Sequence, residues 1–237
     1  MTSRLPPGHF DLLEDLDQPG CPACRAARRS ADRLIADILS ESVNDPAVRP
    51  RLRASHGFCP PHAHAALRLA GPDGQGIALL YGDFLRHIRG EAEAAAAAVG
   101  RRRWRRRAAT AEAALSPHAS CRACEVARGR AALYLELLAR ADAESELGRA
   151  ARKDDRGLCV PHLAQGLDLA QGRRQAERLL ELHIRAVERI HADLEEYLRK
   201  QDHRFSDEPK GREQGSWRRA VLWLAGLPPG GSDGGTR

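Results

Sequence analysis

The chain has 237 residues, enough for one or two domains with a true core. Aromatics make up only 4% of it against 42% hydrophobic residues overall, and Ala, Leu and Arg abound, which favours packed helices over a β-sandwich. The formal charge of +6 is local: removing the six arginines of Arg101–Arg107 leaves 32 basic residues against 32 acidic ones, so no basic field covers the whole surface.

The opening MTSRLPPGHF is polar and Pro-rich, without the basic, apolar and small-residue order of a signal peptide; residues 1–15 read as a flexible arm. The longest apolar run, Ala94 to Val99, is too short to span a membrane. The expectation is a cytoplasmic protein with no membrane association.

The first repeat, 16–100, starts at CPAC (Cys21, Cys24). Ala27, Ala31, Leu34, Ile35, Ile38 and Leu39 recur at helical period and predict a helix from about Pro22 to Val43. A polar connector with Pro46 and Pro50 leads to GFCPPH, where a second helix begins at Cys59 and ends near Gly71. A long third helix carries Ile77, Leu80, Tyr81, Phe84, Leu85 and Ile88. Residues 101–115 read as an Arg/Ala-rich linker. There Trp104, amid the arginines, could stack a base while they grip phosphates, the one nucleic-acid signal in the chain.

The second repeat, 116–202, restates the first. A shift of one hundred residues lays Cys21 on Cys121, Cys24 on Cys124, Cys59 on Cys159 and His62 on His162, and after a four-residue deletion His87-Ile88-Arg89 falls on His183-Ile184-Arg185. Internal duplication explains this better than chance. Its helices are predicted from Arg122 to about Ala143, from Cys159 to about Gly172, and along the stripe Leu179 to Leu198. The tail, 203–226, ends in an amphipathic helix with Ser216 as N-cap and Trp217, Val221 and Leu224 as the docking face; 227–237 read as disordered.

All six cysteines sit in these motifs. With Cys21 or Cys59 as N-cap, Cys24 and His62 take the third helical position, so each pair lies on one face of a helix N-terminus whose dipole favours thiolate. Two such ends supply three thiolates and one imidazole, a closed tetrahedral set suited to structural zinc. Equal spacing within each copy favours Cys21, Cys24, Cys59, His62 as one site and Cys121, Cys124, Cys159, His162 as the other. Pairing across copies, CPAC with Cys159 and His162, is the alternative. Arg25, Arg28 and Arg128 could moderate the negative charge of a zinc centre.

Two iron–sulfur clusters remain the rival cofactor, because His can replace Cys on iron. Haem attachment is excluded, since Arg25 and Glu125 follow the second cysteines, and a thioredoxin-like dithiol lacks its preceding strand. His183 and His191 lie on an apolar stripe and read first as core residues, although the equivalence of His87 and His183 suggests support of the metal ligands. No phosphate loop, nucleophile elbow or HExxH helix is present, and Glu41, Asp45, Asp154 and Asp155 sit in polar turns, so the balance leans against an enzyme.

CPAC…GFCPPH, CRAC…GLCVPH and the tail DHRFSDEPKGREQGSWRRAV together resemble a bacterial and archaeal family, domain-of-unknown-function family 6062, from about Leu16 to Gly226. That family commonly has Tyr where His203 stands. The resemblance implies no activity; it implies that the tail belongs to the fold. The expectation is an all-α protein of two pseudo-equivalent three-helix repeats, each with a Cys3His metal site, plus a short C-terminal helix. It would act as a zinc-stabilised scaffold for a protein partner or as a regulatory protein-interaction module.

Overall fold

The computed structural model describes residues 6–99, 112, 116–153 and 156–227. Arg101–Arg107 and the tail beyond 227 lie outside the described residues. Among the described residues the fold is all-α. Its helices are α1 (His9–Leu16), α2 (Pro22–Ser40), α3 (Arg49–Ala54), α4 (Pro60–Leu69), α5 (Gln75–Val99), α6 (Arg122–Arg140), α7 (Glu146–Ala151), α8 (Val160–Leu169), α9 (Arg173–Arg199) and α10 (Ser216–Ala225). Two 3-10 turns, His203–Phe205 and Arg212–Gly215, precede α10.

The helix lengths match between copies: 19, 6 and 10 residues in α2–α4 and again in α6–α8, then 25 in α5 and 27 in α9. Among the described residues each repeat therefore holds the three expected helices and a fourth. The fourth is a short helix in the polar connector, with Pro50 in the first turn of α3, where its missing N–H costs nothing. Ser145 caps α7 by accepting from the Gly148 N–H at 3.0 Å.

The chain packs as two compact units whose borders are not those of the repeats. One comprises residues 1–29 and 127–237, the other 30–126, so the crossing points fall inside α2 and inside α6. In the first unit residues 9–15, expected to be part of a flexible arm at 1–15, lie in the docked helix α1. Leu12 and Leu16, four apart on α1, are completely buried against Ala23, Tyr134, Leu138 and Leu147. Asp15 is buried beside them and accepts from Arg29 Nη1 and Nη2, both at 2.7 Å, and from the Tyr134 hydroxyl at 2.9 Å. A buried carboxylate needs such partners to offset its desolvation. Burial and the neighbouring Asp15 carboxylate push the Tyr134 phenol well above its ordinary range.

In the second unit Ile35, Ile38, Leu52, Phe58, Leu80 and Phe84 are buried. Arg53 donates to both oxygens of Asp83, at 2.7 and 2.9 Å, tying α3 to α5 and holding the Asp83 carboxyl below its usual range. The turn into α4 uses two left-handed residues, His56 (φ 50°) and Gly57 (φ 86°). A Cβ on Gly57 would press on the Phe84 ring at 3.2 Å, so glycine serves both the conformation and the packing there.

The C-terminal helix docks on the face opposite to the one expected. Gly215, not Ser216, precedes its first turn. Trp217, Val221 and Leu224 are 46, 60 and 68% exposed, whereas Trp223 is only 5% exposed and packs with Ala186 and Ile190 of α9. Both tryptophans lie on an amphipathic 10-residue helix, and its period alone does not say which stripe is covered. Asp193 of α9 fixes the approach, receiving ion pairs from Arg212 at 2.8 Å and Arg219 at 2.5 Å. Trp223→Ala is expected to cost about 3–5 kcal/mol in urea unfolding, and Trp217→Ala less than about 1 kcal/mol. Equal losses from the two would contradict this docking face.

Candidate metal centres

Each candidate ligand pair hangs from a helix start. Cys59 and Cys159 are N-caps of α4 and α8, with nearly identical extended conformations (φ −62°, ψ 161° and φ −65°, ψ 161°) and proline in each first turn. Their carbonyls accept the first helical hydrogen bonds, from Ala63 and Leu163, both at 2.8 Å. Helices α2 and α6 start directly after Cys21 and Cys121, whose carbonyls accept from Arg25 and Glu125. Cys24, His62, Cys124 and His162 therefore all occupy the third helical position, as the spacing predicts.

The ends meet in pairs, and the pairs cross the copies. Cys21, Cys24, Cys159 and His162 form one group, and Cys59, His62, Cys121 and Cys124 the other; within each group the four ligand atoms lie within 4.8 Å of one another. The expected grouping inside each repeat is thus corrected. A helix of 19 residues is roughly 28 Å long, so the chain leaving α2 can return to Cys21 only by doubling back along the whole helix. Instead, α4 is held beside the later part of α2, with Arg68 on Asp32 at 3.1 Å.

Backbone contacts just upstream of the ligands bring the proper ends together. In the first unit Gly20 and Arg156 form an isolated parallel bridge, and Arg156 donates to Leu16 O and to Asp17 O, the latter at 3.1 Å. In the second unit the His118 and Ala119 N–H groups both donate to Ala54 O, at 2.8 and 3.0 Å. Each CxxC turn is thereby stitched to the turn that precedes a CxPH helix of the other copy.

The two groups have nearly the same dimensions. In the first, His162 Nδ1 lies 3.1, 3.2 and 3.6 Å from the sulfurs of Cys159, Cys24 and Cys21, and the Cys24 and Cys159 sulfurs are 3.5 Å apart. In the second, His62 Nδ1 lies 3.2, 3.3 and 3.8 Å from those of Cys59, Cys124 and Cys121, with the Cys59 and Cys124 sulfurs again 3.5 Å apart. No cysteine is in a disulfide.

Without a cation these thiols compete. Burial raises Cys121, but hydrogen bonds from His62 and nearby backbone N–H groups outweigh it and bring the thiol down to about 6; burial and the neighbouring sulfurs push Cys124 up to about 12. In the first group Cys21 is lowered well below its ordinary value, the hydrogen bonds of Cys159, Cys24 and His162 overcoming burial, and Cys159 is raised by its hydrogen bonds to Cys21 and Cys24 and by burial. Partial burial lowers His162, yet the Cys21 and Cys24 sulfurs raise it to about 10. Three sulfurs that cannot ionise together in a small space are the environment in which a divalent cation gains most. Each Cys3His group can hold a metal ion.

Surrounding residues are assigned more sharply than the sequence allowed. His183 Nδ1 lies 2.6 Å from Leu158 O, an acceptor only, so Nδ1 carries the proton and fixes the backbone one residue before Cys159. Its repeat-equivalent His87 instead faces Glu91 at 3.2 Å, and His191 is exposed beside Glu195. Arg25, expected to moderate the charge of a metal centre, donates to Asp15 O, Gln18 O and Pro19 O at the end of α1. Sequence reasoning missed the chain beyond α10. The Leu227 N–H, in a stretch read as disordered, donates to Cys24 Sγ at 3.4 Å, and only Gly226 behind the helix hinted at a turn there.

The model of a family described as "Family of unknown function (DUF6062)" matches residues 12–230. An uncharacterized 23.9 kDa protein in the xynA 3' region of Caldicellulosiruptor sp. (strain Rt8B.4) is 36% identical over 78 residues, 33% of this chain. The chain spans only about 37% of the length of that relative. No solved structure matches.

The crossed pairing predicts how losses combine in cobalt-loaded protein, read by thiolate-to-metal absorption. Cys21→Ser with Cys159→Ser should abolish one site and leave the other at full intensity. Cys21→Ser with Cys59→Ser should damage both. The reverse pattern would restore pairing within each repeat.

Proposed function

The chain belongs to the DUF6062 family of unknown function, and from that premise we propose that it is a zinc-stabilised helical scaffold whose two Cys3His centres serve structure and not catalysis. The observation that carries the reading is the closed donor set: each group has four protein ligand atoms mutually within 4.8 Å. A structural zinc site uses all four positions, whereas a catalytic one keeps a position for water.

Size favours one ion over a cluster. Zinc–sulfur bonds of about 2.3 Å in a tetrahedron place the sulfurs about 3.8 Å apart. The 3.5 Å separations of Cys24 from Cys159 and of Cys59 from Cys124 fit that spacing. An iron–sulfur cluster would have to fit several irons and bridging sulfides between the same ligands. Six unpaired cysteines suit a reducing compartment such as the cytoplasm, and among the described residues no helix is long and apolar enough to cross a membrane.

The scaffold role rests on how metal and core coincide. Cys21, Cys24 and Cys159 belong to the same buried cluster as Leu12, Tyr134 and Leu179, so an ion there ties α1, α2, α6, α8 and α9 into one packed body. The exposed stripe Trp217, Val221 and Leu224 offers an apolar face for a protein partner.

Anaerobically purified protein should be colourless and carry two zinc ions per chain. Removing them with a strong chelator should abolish most helical circular dichroism, because each ion contributes on the order of 10 kcal/mol to folding. Broad visible absorption with iron and acid-labile sulfide would overturn the zinc reading. Full retention of helix and of the unfolding midpoint after chelation would overturn the structural one.

A further inference from the structure

The two centres share one geometry but not one cover. In the first, Cys21, Cys24 and Cys159 are 6, 4 and 1% exposed, and the chain that leaves α10 lies against the sulfurs of Cys24 and Cys159. The Leu227 N–H donates to Cys24 Sγ at 3.4 Å. Gly226 turns with φ 77°, and a Cβ there would sit 3.6 Å from Pro161, 3.7 Å from Cys159 Sγ and 3.8 Å from Cys24 Sγ. The left-handed backbone favours glycine at that point, and those distances are ordinary contact, so the turn lies against two ligand sulfurs.

This strap is anchored from behind. The Trp223 ring stacks on His183 with centroids 6.2 Å apart, and His183 in turn holds Leu158 O next to Cys159. A Cβ on Gly157 would come within 2.7 Å of Leu182 O and 3.3 Å of Trp223, so α9, α10 and the ligand turn are packed without slack. In the first centre only His162 is partly open to solvent, and all three sulfurs are covered; in the second, His62 and Cys121 are buried but two of the three sulfurs, those of Cys59 and Cys124, belong to partly open residues.

A thiolate leaves zinc when a proton, an electrophile or a competing ligand reaches it. A hydrogen bond to the sulfur draws off charge, and a covering backbone denies access. Building on the zinc reading above, we propose that the Gly226–Leu227 strap makes the Cys21/Cys24/Cys159/His162 centre kinetically inert, and that the Cys59/His62/Cys121/Cys124 centre is the one through which the protein exchanges metal with solution. The ligand class that acts there is a small soluble metal chelator or thiol.

The test is release of zinc from the loaded full-length chain into excess 4-(2-pyridylazo)resorcinol, followed by colour. Wild-type protein should release one equivalent at least about tenfold faster than the other, by the usual size of such supporting contacts. Cys121→Ser should remove the fast phase and keep the slow one. Leu227→Pro, which deletes the N–H, should speed the slow phase about tenfold with the fast phase unchanged, while Leu227→Ala, which keeps the N–H, should retain it. Release of both ions in one phase, or a slow phase indifferent to Leu227→Pro, would overturn the inference. Protein that never holds two equivalents of zinc would instead sink the zinc reading on which it rests.

Discussion

A cysteine at a helix cap and a second ligand three residues on can supply only half of a tetrahedral site. The architecture of this molecule answers the need to bring two such helix starts to one point. A helix start presents unpaired N–H groups and the positive end of its dipole, so it stabilises thiolate. Two starts facing each other would repel without the negative sulfurs and an ion between them. The buried cluster around Cys21, Cys24 and Cys159 shows the consequence: small residues such as Ala23 and Ala26 line the approach, and larger ones from α1, α6 and α9 close over it.

Crossed pairing makes the chain interdependent. Cys24 reaches a ligand 138 residues away, and Cys124 one that is 62 away. Neither centre closes from a single repeat, so neither repeat has a complete metal-bound core of its own. Loop closure of this length costs entropy that local contacts do not return, which an ion can offset in one step. The two repeats thus look alike in sequence and helix length while the compact units cut through the middles of α2 and α6.

Much of this was legible beforehand. The i, i+3 offset of Cys59 and His62 after two prolines specifies an N-cap and a third position with no knowledge of tertiary structure, and the caps are as that chemistry requires. What spacing could not carry was partnership. Equal separations within copies are a property of duplication, whereas pairing depends on the length of α2 and on bonds such as His118 to Ala54 O. The same limit reversed the docking face of α10, where Trp217 and Trp223 both sit on apolar stripes and only Asp193 and His183 on α9 decide between them. Helix α1 escaped notice because a polar, proline-containing start hides Leu12 and Leu16, whose value lies in a core assembled from distant parts of the chain.

On the zinc reading, each Cys3His group forms a complete four-ligand shell around one ion. X-ray absorption at the zinc edge on the two-zinc protein addresses it directly. About three sulfurs near 2.3 Å and one nitrogen near 2.0 Å per zinc are expected, with no oxygen ligand. Fewer sulfurs with an added light-atom ligand, or a short metal–metal vector, would contradict it.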